Sequence, residues 1–191
     1  VAGADIVIQS PHKTLSSLTQ SSLLHLKSGC VEPQRIEQAL SMLQSSSPSA
    51  LLLLSLDIAL AQMAQSGTAL WAATIALAEE ARRRINATGT LRCYDQTLIG
   101  RAGIAALDPT KLVVDVCALG VSGFAARDWL RQHCRINPEF ADLRRIVCSV
   151  TIGDDRQSVE ALIAALRELC RAHCGAGAQL PSTPFQHTGP C

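Results

Sequence analysis

The sequence predicts an α/β protein of one domain, or of one domain and part of another. Three patterns carry that prediction. An apolar run, Ile6–Ile8, stops at the polar turn Gln9-Ser10-Pro11 and leads to a lysine among small hydroxyl residues. Leu- and Ala-rich segments of helical period fill most of residues 33–85. From Asp108 to His173 a strand, a helix, a second strand and a second helix follow one another, the pattern of a small α/β unit.

In chain order, residues 4–8 form a first strand and Ser22–Leu26 a second, ended by Lys27-Ser28-Gly29. Pro33 opens a helix with Ile36, Leu40 and Leu43 close to a 3.6 period. Ser45-Ser46-Ser47-Pro48-Ser49 punctuates, with Pro48 suited to a first helical position. The helix that follows, Ala50–Gln65, is apolar nearly all round and is expected to be buried. Thr68–Ile85 forms a further helix. Its Arg82-Arg83-Arg84 run is expected to be a solvated face at a helix C-terminus, where cations are favoured.

Residues 90–107 are poorly patterned and read as loop with one short strand. Lys111–Val116 is a strand, Gly120–Gly123 a turn, and Phe124–His133 a helix. Asp142–Ile152 gives the next strand. Ser158–His173 is an amphipathic helix with Val159, Leu162, Ile163, Leu166 and Leu169 on its apolar side. The Gly-, Pro-, Ser- and Thr-rich tail 175–191 is expected to be disordered.

Composition narrows the function. Apolar residues make up 48% of the 191 and aromatics 3%, so the core must be Leu, Ala, Val and Ile. A net charge of +1 without a basic stripe argues against nucleic acid. The longest unbroken apolar run, Ala50–Leu54, is far shorter than the roughly 20 residues of a membrane span, so no membrane partner is expected. Eight scattered cysteines favour reduced thiols in an intracellular protein, in the cytoplasm or alternatively a plastid. The Asn86-Ala87-Thr88 sequon is read as chance. The chain starts at Val1, so its natural N-terminus is expected to be missing.

Three places could carry chemistry. Lys13, just past a strand, is a candidate Schiff-base nucleophile, a role that burial or a nearby cation can support; a surface lysine is the plain alternative. The hydroxyl-flanked helix start at Ser47 suits an anion, or is simply an N-cap. Cys170 and Cys174 share a helical face, but zinc spacings are absent and no metal is expected. Asp154-Asp155 reads equally as a cation site or a helix N-cap.

Ser10-Pro11-His12-Lys13, Ser16-Ser17 and Thr19-Gln20-Ser21-Ser22 together resemble the cofactor-attachment site of the bacterial-type (group I) ornithine/lysine/arginine decarboxylases, with Ile8 a mild departure. The SSSPS segment, LDIALAQM, DPTKL and NPEFADLRRIVCSVTIGD are similar in the same order, so the resemblance covers roughly residues 1–170. It implies part of a large domain of the aspartate-aminotransferase type (pyridoxal-phosphate fold type I), followed by a small α/β C-terminal domain. Residues 1–95 would be the large-domain portion with its connecting helices, 96–174 the small domain and 175–191 the tail.

The resemblance also implies roles. Lys13 would carry pyridoxal 5'-phosphate covalently and, with His12, form the catalytic pair. Ser10 and His12 would hold its phosphate, and Ser47 would reach the phosphate across a homodimer or larger oligomer with shared sites. Glu139 would read the distal cation of a basic amino-acid substrate; a loop glutamate facing solvent is the plain alternative. The implied reaction is decarboxylation of arginine, lysine or ornithine to the amine and carbon dioxide. Upstream parts of such a cofactor site are not among these residues. A truncated, non-catalytic partner of a full-length decarboxylase is therefore the second reading.

Overall fold

The computed structural model describes residues 3–27, 29–101 and 103–173, so the 175–191 tail lies outside it. The chain divides into two compact units, residues 1–71 with 151–153, and residues 72–150 with those from 154 onward. The division falls inside a helix, between Trp71 and Ala72, whereas the sequence places the boundary at 95/96.

In the first unit, β1 (Ile6–Gln9) and β2 (Leu23–Leu26) pair antiparallel, with Ile6 opposite Leu26 and Gln9 opposite Leu23. α1 (Pro33–Leu43) follows, opened by Pro33. The first half of α2 (Ala50–Asn86) completes the unit.

The sequence predicts two helices over 50–85, and the structure has one of 37 residues. Gly67 costs about 1 kcal/mol as a helix-interior glycine, but no proline or cap forces a stop there. Two further expectations fail on α2. Ser49, not Ser47, stands at its start, its Oγ accepting the Leu52 N–H at 3.5 Å, and Pro48 lies outside the helix. The Ala50–Gln65 stretch is not buried: Leu51 is 66% exposed and Ile58 60%, while Leu56 and Ala59 are covered. By length and composition α2 could cross a membrane, because the helix runs on through the Gln62–Thr68 stretch that interrupts the apolar run.

The second unit is a four-stranded antiparallel sheet, order β3 (Arg92–Cys93), β4 (Lys111–Asp115), β6 (Arg145–Ser149), β5 (Phe140–Ala141). Alternation puts Leu112, Val114, Ile146 and Cys148 on one face, fully or nearly buried. They share a core with Ala78, Ala81 and Ile85 of α2, Ala126 and Leu130 of α3 (Gly123–Cys134), and the apolar side of α4 (Arg156–His173). The strand expected over 142–152 is shorter because Asp142 Oδ1 accepts the N–H groups of both Arg144 and Arg145, at 2.7 Å each. That turn folds Phe140–Ala141 back on Ile146–Val147 as an unforeseen strand.

Arg82 is not part of a solvated face. Its guanidinium donates to the carbonyls of Tyr94 (2.9 Å), Pro109 (2.8 Å) and Lys111 (3.2 Å), tying α2 to the strand entries. Arg84 makes a bidentate pair with Glu160 of α4, at 2.5 and 2.7 Å, and Arg83 alone is exposed.

Candidate functional site

β1 ends at Gln9, and Pro11–Lys13 makes one 3-10 turn. Lys13 N–H donates to the Ser10 carbonyl at 3.1 Å, and the Pro11 carbonyl accepts from Thr14 (3.1 Å) and Leu15 (2.6 Å). Buried Pro11 opens the turn, where its missing N–H costs nothing. His12 Nδ1–H donates to the Ser21 carbonyl at 3.1 Å. Ser21, itself buried, donates its hydroxyl to the Leu18 carbonyl at 3.1 Å. Gln20 takes a left-handed φ of 66° to close the loop. The Leu18 N–H donates to Ser55 Oγ of α2 at 2.7 Å. Ser17 Oγ is buried without a hydrogen-bond partner.

Lys13 is exposed and faces an open hollow of about 500 Å³ whose walls include Gln9, Ser10, Thr14, Leu23 and Trp71. Burial, which the sequence reading wants for a nucleophilic lysine, is not supplied by the described residues. Ser10 and Lys13 both line this hollow. The sequence reading missed Trp71, whose signal was a bulky aromatic in a Leu/Ala helix, and Ser55, which had none.

Ser47 is exposed, donates its N–H to Ser45 Oγ at 3.1 Å, and does not line the hollow. Glu139 lies in the other unit. Its carboxylate pairs with Lys111 Nζ at 2.9 Å and accepts the Ser149 hydroxyl, while Lys111 also donates to Ser149 Oγ at 2.6 Å. This cluster borders a separate cavity of about 320 Å³, with Asn137, Cys148, Asp154 and Leu162.

Of the Asp154-Asp155 pair, Asp155 has a structural role. Asp155 Oδ1 accepts the Ser158 N–H (2.8 Å) and hydroxyl (3.0 Å), so it caps α4. Burial pushes the Cys93 thiol up to about 11 and Cys148 up to about 12, leaving both protonated. Cys174 lies outside the described residues, and no group of three metal-ligating side chains occurs among those described.

These residues fit pyridoxal 5'-phosphate in part. An amine and two hydroxyls, from Lys13, Ser10 and Thr14, suit an aldehyde and a phosphate in one hollow. With Nδ1–H committed to Ser21, His12 can donate to a phosphate through Nε2 only as the imidazolium. Among the described residues, no carboxylate lines the hollow to pair with a pyridine nitrogen.

The family model described as Orn/Lys/Arg decarboxylase, major domain, matches residues 2–158. An arginine decarboxylase of Halalkalibacterium halodurans is 42% identical over 172 residues, 90% of this chain and 35% of that protein. One from Bacillus cereus is 43% identical over 168 residues, 88% of this chain and 36% of its own length. The chain therefore spans about a third of these curated relatives. Among solved structures, the lysine decarboxylase of Francisella novicida superposes with a TM-score of 0.75 at 23% identity, covering 87% of this chain and 28% of that one. The constitutive lysine decarboxylase of E. coli gives 0.71 at 20%, with the same coverage. At that identity the likeness is one of fold. With residues 2–158, most of the chain, matched by the family model, the chain belongs to the Orn/Lys/Arg decarboxylase family.

Proposed function

We propose that the protein carrying this chain decarboxylates a basic amino acid with pyridoxal 5'-phosphate bound through Lys13. The observation that carries the reading is the Lys13 turn: an exposed lysine that lines one hollow with Ser10, on a loop closed by His12 and Ser21, in a chain of this family. When bound, the cofactor supplies the electron sink that lets the substrate carboxylate leave as carbon dioxide. Lys13 would hold the cofactor through its side-chain amine. Ser10 and His12 bind the phosphate. The relatives at 42–43% identity are named arginine decarboxylases, which makes arginine the first substrate to test.

In this reading residues 1–95 are the C-terminal portion of an aspartate-aminotransferase-type cofactor domain, and 96–174 the small domain. The carboxylate for the ring nitrogen then comes from outside the described residues. So does the cover for Leu51, Leu54 and Ile58, whose exposed side chains suit docking on further protein better than lipid, since Asp57 and Gln62 interrupt the same stretch. Ser47 reaches a second subunit's phosphate in a homodimer. Glu139 serves the substrate's distal cation only by releasing Lys111, which now neutralises it.

Borohydride reduction of the protein loaded with pyridoxal 5'-phosphate, followed by peptide mapping, tests the core of this. The pyridoxyl group belongs on Lys13, and finding it on Lys27 or Lys111 overturns the assignment. Lys13→Ala abolishes carbon dioxide release from arginine with the fold retained.

A further inference from the structure

We propose that Ser55 is a positioning residue for Lys13, an inference that rests on Lys13 being the cofactor lysine. Leu18 donates its N–H to Ser55 Oγ at 2.7 Å across 37 residues of chain. The same Leu18 accepts the Ser21 hydroxyl on its carbonyl at 3.1 Å, and the Ser21 carbonyl accepts His12 Nδ1–H at 3.1 Å. A line of hydrogen bonds thus runs from α2 through Leu18 and Ser21 to His12, next to Lys13 on the 3-10 turn.

Each link acts where the loop would otherwise be soft. Lys13, Thr14, Ser16 and Leu18 to Gln20 are exposed, so little apolar packing holds the segment. Gln20 is kept in the left-handed region, which a side chain other than glycine rarely adopts without support. A serine inside a helix commonly turns its hydroxyl back onto its own backbone. Here the Ser55 oxygen is instead an acceptor for the loop.

The test compares Ser55→Ala and Ser55→Thr, the second keeping the hydroxyl, in the protein that carries this chain. Without cofactor, loss of the acceptor should speed hydrogen exchange at the Leu18 amide about five- to tenfold, with α2 amides unchanged. With pyridoxal 5'-phosphate bound, Ser55→Ala should move the pH midpoint of the cofactor's absorbance change and lower kcat about tenfold. KM for arginine should hold, and Ser55→Thr should restore all three quantities. Unchanged exchange at Leu18 overturns the proposal. So does faster exchange with the absorbance midpoint and kcat unmoved, since the bond would then serve the fold alone. Borohydride labelling separates the two readings. Absence of label on Lys13 in the unsubstituted protein refutes the cofactor assignment and this proposal with it. Label on Lys13 in both proteins, with identical pH midpoints, overturns this proposal alone.

Discussion

Gly123→Ala tests how tightly the C-terminal unit is built. Gly123 is buried at the first position of α3, and its N–H reaches toward the Leu143 carbonyl at 3.4 Å. A Cβ there would press on the carbonyl oxygens of Asp142 and Arg145 and lie 2.8 Å from the Arg145 carbonyl carbon, where ordinary contact begins at 3.4 Å. These are backbone atoms and cannot rotate away. The turn that carries them is pinned by Asp142 Oδ1 on two N–H groups and by Asp142 N–H on the Arg145 carbonyl at 2.9 Å. Helix and turn must therefore part by more than half an ångström. Overpacking of this kind costs about 1–3 kcal/mol, and rigid neighbours put it near the top of that range. Helix propensity pulls the other way by at most about 1 kcal/mol, so a net loss of about 2 kcal/mol is expected. The two tryptophans fall one in each unit, so Trp129 fluorescence in a Trp71→Phe background reports on the C-terminal unit. With a urea slope of about 2 kcal/mol/M, the midpoint should fall by about 1 M at unchanged slope. A midpoint that stays or rises would refute the close approach.

Three further outcomes are expected. Ser47→Ala should weaken pyridoxal-phosphate binding about ten- to a hundredfold by removing one charge-assisted hydrogen bond. Thermal melting should not move, because Ser49 stands at the α2 start; mixed Lys13→Ala and Ser47→Asp subunits that exchange yet regain no activity would rule out a shared site. Arg82→Met strips a donor from three carbonyls and should cost about 3 kcal/mol, against no more than about 0.5 for Arg83→Met, both read by thermal melting. The Ser158 N–H and then its hydroxyl hold the Asp155 carboxyl below the ordinary range. Its contribution to stability is therefore fully present above the unfolded value of about 3.9 and is lost as pH falls below it. Asp155→Asn should flatten that acid-side loss in a pH series of melts, and an unchanged profile would contradict the cap.

Residues 6–26 show what the sequence by itself determined. A strand, a proline-opened turn and a lysine followed by hydroxyl residues are set by contacts within a few positions, which local propensity and turn chemistry describe. The helices at 33–43, 124–133 and 158–173 were legible for the same reason, from apolar spacing alone. Tertiary structure decided what depends on distant partners. Leu18 meets Ser55 across 37 residues and Lys111 meets Glu139 across 28, and no periodicity records such pairs. Arg82 looks like any surface arginine until three carbonyls from two other segments converge on it. The helix break expected at Ser66-Gly67 is missing because a propensity cost of about 1 kcal/mol cannot stop a helix without a cap or a proline. Burial of Ala50–Gln65 failed for a related reason. An apolar sequence states that a face needs cover, whereas the cover itself must come from another part of the fold, and among the described residues Leu51 and Ile58 have little.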